Sequence, residues 1–259
     1  MLLNVQTIQT SVIKNLVEAL KDIIIELNLV ATEKGITAIA VNNTKTVLAE
    51  LTLSADKFEK YSCTKQLVLG IDMMHFYKII KTMSNSDILS LYVNEENTNV
   101  LGVMINNPDT NTMTNYKLKL LDLPENNFTI PPVEHDLIVN MQSSQFQKII
   151  KEMNGIAKTV EMRSIGDEFI FSCNGLFTER ETIIKENESG MNFEKRLVAG
   201  KIVQCIYLLK ILTTFTKCTG LSPNIRLSLK NDYALELCYD VGSLGTLKLI
   251  LSNYSEHEK

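Results

Sequence analysis

Eight lysines carry the one chemistry that residue type and spacing suggest. They form four pairs, Lys14 with Lys21, Lys78 with Lys81, Lys148 with Lys151 and Lys210 with Lys217, three or seven residues apart. On a helix of 3.6 residues per turn, either spacing brings two side chains to roughly the same side. An ammonium is a point charge suited to phosphate, whereas base edges are usually read by arginine. Lysine outnumbers arginine 22 to 4, so these faces suit a phosphate backbone better than a base sequence. The plainer alternative is that the lysines only solvate amphipathic helices.

Nothing comparable points to catalysis. The chain has no GxxxxGK phosphate loop, no HExxH, no GxSxG and no GxGxxG after a strand. His75, His135 and His257 lack metal-ligand spacing, and His75 reads as a surface residue. The five cysteines are odd in number and scattered, without a CxxC pair. That argues for a reducing compartment and against a disulfide framework or a zinc site. Metal, cofactor and enzymatic activity are therefore not expected. The net charge of −4 opposes non-specific adhesion to nucleic acid unless the basic groups are gathered on one surface. The N-terminal MLLNVQTIQT lacks signal-peptide character, and no run approaches the roughly 18 apolar residues of a membrane span. A soluble intracellular protein is expected.

The lysine pairs belong to one repeated helical pattern. FYKIIKTM (Phe76–Met83) and FQKIIKEM (Phe146–Met153) differ only at Tyr77/Gln147 and Thr82/Glu152. Each places apolar residues at i, i+3, i+4 and i+7: Phe76, Ile79, Ile80, Met83 and Phe146, Ile149, Ile150, Met153. The same quartet recurs as Ile13, Leu16, Val17, Leu20 and as Leu208, Ile211, Leu212, Phe215. Four equivalent helices imply equivalent places in the fold. The first is expected over Thr10–Leu27, capped by Thr10 or Ser11, and the second over Asp72–Met83.

Between the helices lie alternating stretches that read as strands, among them Met113–Asp122 and Glu179–Lys185. Leu123–Glu134 breaks both periods, holds three of the five prolines and reads as a linker. Its Phe128 and Ile130 either pin it to the domain beneath or help form a partner groove. Each half of the chain reads strand, helix, strands, helix, strands. The expected organisation is α+β, with similar domains over 1–122 and 135–259 joined by 123–134.

LVEALKDII (Leu16–Ile24), YKLKLLDL (Tyr116–Leu123), SSQFQKIIKEM (Ser143–Met153) and TTFTKCTGLS (Thr213–Ser222) resemble, in register, the sliding clamps of the proliferating cell nuclear antigen family. The resemblance covers nearly the whole chain. It implies a ring of three identical chains, with helices lining the hole and antiparallel sheets outside. Double-stranded DNA would pass through without sequence preference. All eight lysines match inner-wall basic positions, whereas Asn15 stands where the family often has a basic residue. It further implies a groove for partner peptides lined by Val41, Phe128, Ile130, Ala234 and Ile250. Val41 replaces the usual methionine there, and Ala234 and Asn253 replace common prolines. The subunit interface would join the strand around Tyr116 to Glu179, Arg180, Thr182 and Ile183 of the next chain. Implied partners are a DNA polymerase, a clamp loader and other client peptides, in the nucleus or at a cytoplasmic viral replication site. A subunit of a heterotrimeric checkpoint clamp and a clamp-fold viral transcription factor are the alternatives.

Overall fold

A computed structural model describes residues 1–124, 132–187, 190–198 and 200–254. The chain forms two compact units, Met1–Phe128 with Asp240–Leu247 and Thr129–Tyr239 with Lys248–Lys259. The elements come in chain order as β1 Leu3–Thr7, α1 Thr10–Leu20, β2 Glu26–Thr32, β3 Gly35–Val41, β4 Val47–Ser54, β5 Lys60–Cys63, β6 Leu67–Asp72, α2 Met73–Ile80, β7 Ile88–Asn94, β8 Asn97–Asn107 and β9 Thr112–Lys119. They continue as β10 Leu137–Gln142, α3 Ser143–Asn154, β11 Thr159–Ile165, β12 Glu168–Asn174, β13 Glu179–Lys185, β14 Asn192–Lys195, β15 Val203–Leu208, α4 Leu209–Phe215, β16 Asn224–Leu229, β17 Leu235–Val241 and β18 Gly245–Leu251.

Four copies of one strand–helix–three-strand unit account for this order. They begin at β1, β6, β10 and β15, with β5 and β14 as spacers. The pairing repeats too. Strands β5-β1-β7-β8-β9 and β14-β10-β16-β17-β18 are neighbours in the same sense, as are β4-β3-β2-β6 and β13-β12-β11-β15. The pairings are antiparallel, as in β1 on β7 (Leu3 opposite Val93) and its counterpart β10 on β16 (Leu137 opposite Leu229). The fold class is α+β, two-domain, as the sequence suggested.

The apolar stripes form the core. Ile13, Leu16, Val17 and Leu20 are buried on α1, and Phe146, Ile149, Ile150 and Met153 on α3. On α2, Phe76 and Ile80 are buried, with Met83 just beyond the helix; Ile79 is half-buried. The fourth copy departs from the expected stripe. Leu208 ends β15 and is half-buried, as is Ile211, while Leu209, Leu212 and Phe215 are buried. Counted from the helix start, buried Leu209, Leu212, Phe215 and Thr216 match Ser143, Phe146, Ile149 and Ile150 of α3, so the stripe begins one turn later than the periodicity implied.

Helix α1 is shorter than expected. It ends at Leu20, and the Ile23 and Ile24 amides both donate to the Leu20 carbonyl, at 2.9 and 2.8 Å. The β-branched run Ile23–Ile25 is a weak helix former and feeds β2 instead. Gln9, not Thr10 or Ser11, occupies the N-cap position, and the Thr10 hydroxyl donates to the Ser84 carbonyl at 3.0 Å. At α2 the cap is conventional: Asp72 accepts from the His75 amide at 2.7 Å, a contact worth about 1 kcal/mol. Gly70 admits the chain after β9. A Cβ there would lie 2.2 Å from the Leu121 carbonyl oxygen, and the Leu121 amide donates to Gly70 at 2.8 Å. This contact fixes where the linker begins.

Candidate nucleic-acid interface

Each helix turns its stripe to the sheets and so presents the opposite face outward. On α3 that face carries Lys148 and Lys151, both exposed. On α2, Lys78 and the C-cap residue Lys81 are exposed. On α4, Lys210 is exposed, and Lys217 is exposed in the 3-10 turn Thr216–Gly220 that follows. All six are exposed on an outward helix face or in the turn that follows it.

Lys14 and Lys21 behave differently. Lys14 is half-buried, and its Nζ donates to the Met83 carbonyl at 3.2 Å, tying α1 to the turn after α2. Lys21 is half-buried beside Asp22 at 2.9 Å, with its Nζ 4.8 Å from the centre of the Tyr77 ring. Tyr77 also donates from its hydroxyl to Glu18 Oε1 at 3.1 Å. Burial, the Glu18 contact and the nearby Asp22 together raise the Tyr77 pKa. Sequence reasoning missed these partners, because an i to i+7 spacing says nothing of the neighbouring helix.

The other expected residues fall on separate elements. Tyr116 lies half-buried on β9, which ends its row of strands. Glu179, Arg180, Thr182 and Ile183 lie on β13, which ends another. Glu179 and Ile183 are exposed, and Ile183 is 49% so. Arg180 is engaged within its own unit, 2.6 Å from Glu152 of α3. Val41 closes β3; Ala234 precedes β17 and Ile250 lies on β18, all three half-buried. Phe128 and Ile130 lie outside the described residues.

None of the five cysteines is in a disulfide, and burial raises Cys173, Cys205 and Cys218, the last to about 12. Such groups are poor nucleophiles at neutral pH. Among the described residues no cluster of three or more His, Cys, Asp or Glu could hold a metal ion. No helix among them is long and apolar enough to cross a membrane.

Residues 2–128 match the N-terminal domain of proliferating cell nuclear antigen, and residues 129–254 match its C-terminal domain. A probable DNA polymerase sliding clamp of Paramecium bursaria Chlorella virus 1 is 28% identical over 97% of this chain and 96% of its own length. The proliferating cell nuclear antigen of Chaetomium thermophilum is 26% identical over 94% and 95%. Two matched domains with one repeated architecture and lysine-bearing helices leave one assignment: the chain belongs to the proliferating cell nuclear antigen family.

Proposed function

We propose that this chain is a DNA sliding clamp, a closed ring that encircles duplex DNA and tethers a polymerase. The observation that carries the reading is the fourfold helix repeat, whose outward faces hold six exposed lysines. Lysine-to-phosphate attraction is independent of sequence. It suits a protein that must slide, since weak contacts exchange readily while topology prevents escape. The function is non-catalytic: processivity comes from the tether.

In the finer reading, three identical chains form the ring, and a separate loader opens it. Client peptides from polymerases dock beside the connector 123–134, on Val41, Phe128, Ile130, Ala234 and Ile250. The work is done in the nucleus or at a viral replication site in the cytoplasm. Ile130→Ala is expected to weaken client capture, measured by calorimetry, without changing the mass of the assembly. The deciding experiment loads the clamp onto nicked circular DNA and filters the complex at high salt before and after linearisation. Retention on the circle with release from the linear form is expected. Equal retention on both would sink encirclement and show a tight surface binder.

A further inference from the structure

The two units fill equivalent cores with side chains of different size. Strand β3 matches β12 through their turns, where Thr32 stands opposite Gly35 and Ile165 opposite Glu168. The offset that relates these turns pairs Ile36 with Phe169 and Ala38 with Phe171, and it also pairs Ile13 of α1 with Phe146 of α3. In the second unit the three phenylalanines are fully buried and interlock. The Phe171 ring centre lies 6.3 Å from that of Phe146 and 4.9 Å from that of Phe169. In the first unit Ile13, Ile36 and Ala38 are buried too, but they are smaller. Phe76, where α4 has Leu212, does not make up the difference.

A cavity of about 50 Å³ lies in the first unit at that place, with Ile13, Val17, Ile36, Leu51, Met73 and Phe76 in its wall. Thr7 also lines it, but turns no polar atom into it; its hydroxyl accepts from the Gln9 amide at 3.0 Å. A buried water needs roughly two to four polar partners, so this wall favours an apolar occupant. We propose that the cavity is a binding site for one small, uncharged apolar guest, such as xenon, dioxygen or a two-carbon hydrocarbon. An apolar cavity of about 150 Å³ takes benzene or xenon. One of about 50 Å³ excludes the ring and admits the atom.

One side of the wall offers a way in. Leu29, Phe58 and Leu91 line the cavity yet are half-buried, so each also meets solvent. Leu29 and Leu91 are fixed in β2 and β7. Phe58 follows the 3-10 turn Ala55–Lys57 and belongs to no helix or strand, so its ring is the part of the wall freest to turn aside. That ring lies 5.7 Å from the ring of Tyr61, whose hydroxyl donates to the Thr32 carbonyl at 2.6 Å. The lining includes none of the exposed lysines, so the site stands apart from the clamp reading and its occupancy does not depend on DNA.

The test titrates xenon into the methyl-labelled full-length chain and follows the methyl resonances by NMR. Saturable shifts are expected at Ile13, Val17 and Ile36, and not at Ile149, Ile150 or Ile170 of the second unit. Ile36→Phe and Val17→Ile each install the second unit's residue. Both are expected to weaken xenon binding roughly tenfold or more, because the added atoms take the guest's space. Circular dichroism checks that each variant folds, and either filling variant suffices if the other does not. Phe58→Ala should enlarge the cavity until it binds benzene, which wild type excludes. The proposal falls if wild type shows no saturable shift, if both units respond alike, or if a folded filling variant binds xenon as tightly as wild type. Benzene saturating these methyls in wild type would overturn the size assignment, and continued exclusion of benzene by Phe58→Ala would overturn the route past Phe58.

Discussion

Helices α1 and α3 occupy the same place in the two units, yet they use lysine in opposite ways. Counting from the first apolar residue of each stripe, the second position holds Lys14 in α1 and Gln147 in α3. Both donate to a carbonyl near the end of the neighbouring helix: Lys14 Nζ to Met83 at 3.2 Å, Gln147 Nε2 to Thr216 at 2.7 Å. Lys14 is thus a strap between helices that an uncharged amide performs equally well in the other unit. The third and sixth positions hold exposed Lys148 and Lys151 in α3, and Lys78 and Lys81 in α2, but Asn15 and Glu18 in α1. A shared apolar stripe therefore fixes which way a helix faces, while the adjoining helix decides what a lysine on it does.

The largest effects concern the stripe itself. Phe146 is fully buried at the first stripe position of α3, whereas Leu208, which sequence periodicity put at that position of the fourth repeat, ends β15 and is half-buried. Phe146→Ala is expected to cost about 3–5 kcal/mol, and Leu208→Ala about 1–2 kcal/mol, in urea unfolding of the pure chain. Equal costs would mean that Leu208 packs as a stripe residue, contrary to its half-buried place at the end of β15.

Next comes the separation of strap from phosphate contact. For Lys148→Ala with Lys151→Ala, the log–log salt dependence of DNA binding should flatten by about 2 units per chain if both meet phosphates. Lys14→Gln should leave that slope alone and change stability by no more than about 0.5 kcal/mol, because Gln already serves at position 147. Lys14→Ala, which leaves the Met83 carbonyl without this donor, should lose about 1 kcal/mol. A drop in salt slope for Lys14→Gln matching that of the α3 pair would erase the distinction between the two helices.

Much of the fold was legible because its signal is periodic. Four stripes at near-constant spacing located the four helices, and β13 was bounded correctly at Glu179–Lys185. The failures are local and share a cause. The Ile23–Ile25 run is apolar in any period, so α1 was carried seven residues too far; only the turn at Leu20 and the pairing of β2 with β6 resolve it. At α4, a strand and a helix meet without a polar break, and the stripe was placed one turn early. The lysines were legible as a face but not as individuals. Tyr77, Asp22 and the Met83 carbonyl reach α1 or its end through tertiary structure or a turn, and no spacing rule anticipates them.

The smallest effect contrasts how the two units meet acid. In the first unit, Asp87 is buried, which favours its neutral form. Hydrogen bonds from the Ser84 hydroxyl, the Ser84 amide and Asn107, each 2.7 Å, outweigh this and hold its carboxyl below the ordinary range. In the second unit, burial pushes the His135 imidazole below its ordinary value. Glu236 opposes that shift, while Arg226, Lys230 and Lys195 add to it. Its Nε2 is buried without a partner among the described residues, and its ring meets Tyr233 edge-on at 6.4 Å. Both folded values lie below the unfolded ones, so in both cases the unfolded chain binds protons first and stability falls with pH. The windows differ. The His135 contribution is full above about pH 6.5 and declines below it, whereas the Asp87 contribution holds until about pH 4. Segment-resolved hydrogen exchange should therefore show β10 and its neighbours opening more readily between about pH 6.5 and 5, with β7 and β8 unchanged over that interval. His135→Phe should remove this step while keeping the ring against Tyr233. If the step persists in that variant, another group in the second unit titrates there and His135 is not the cause.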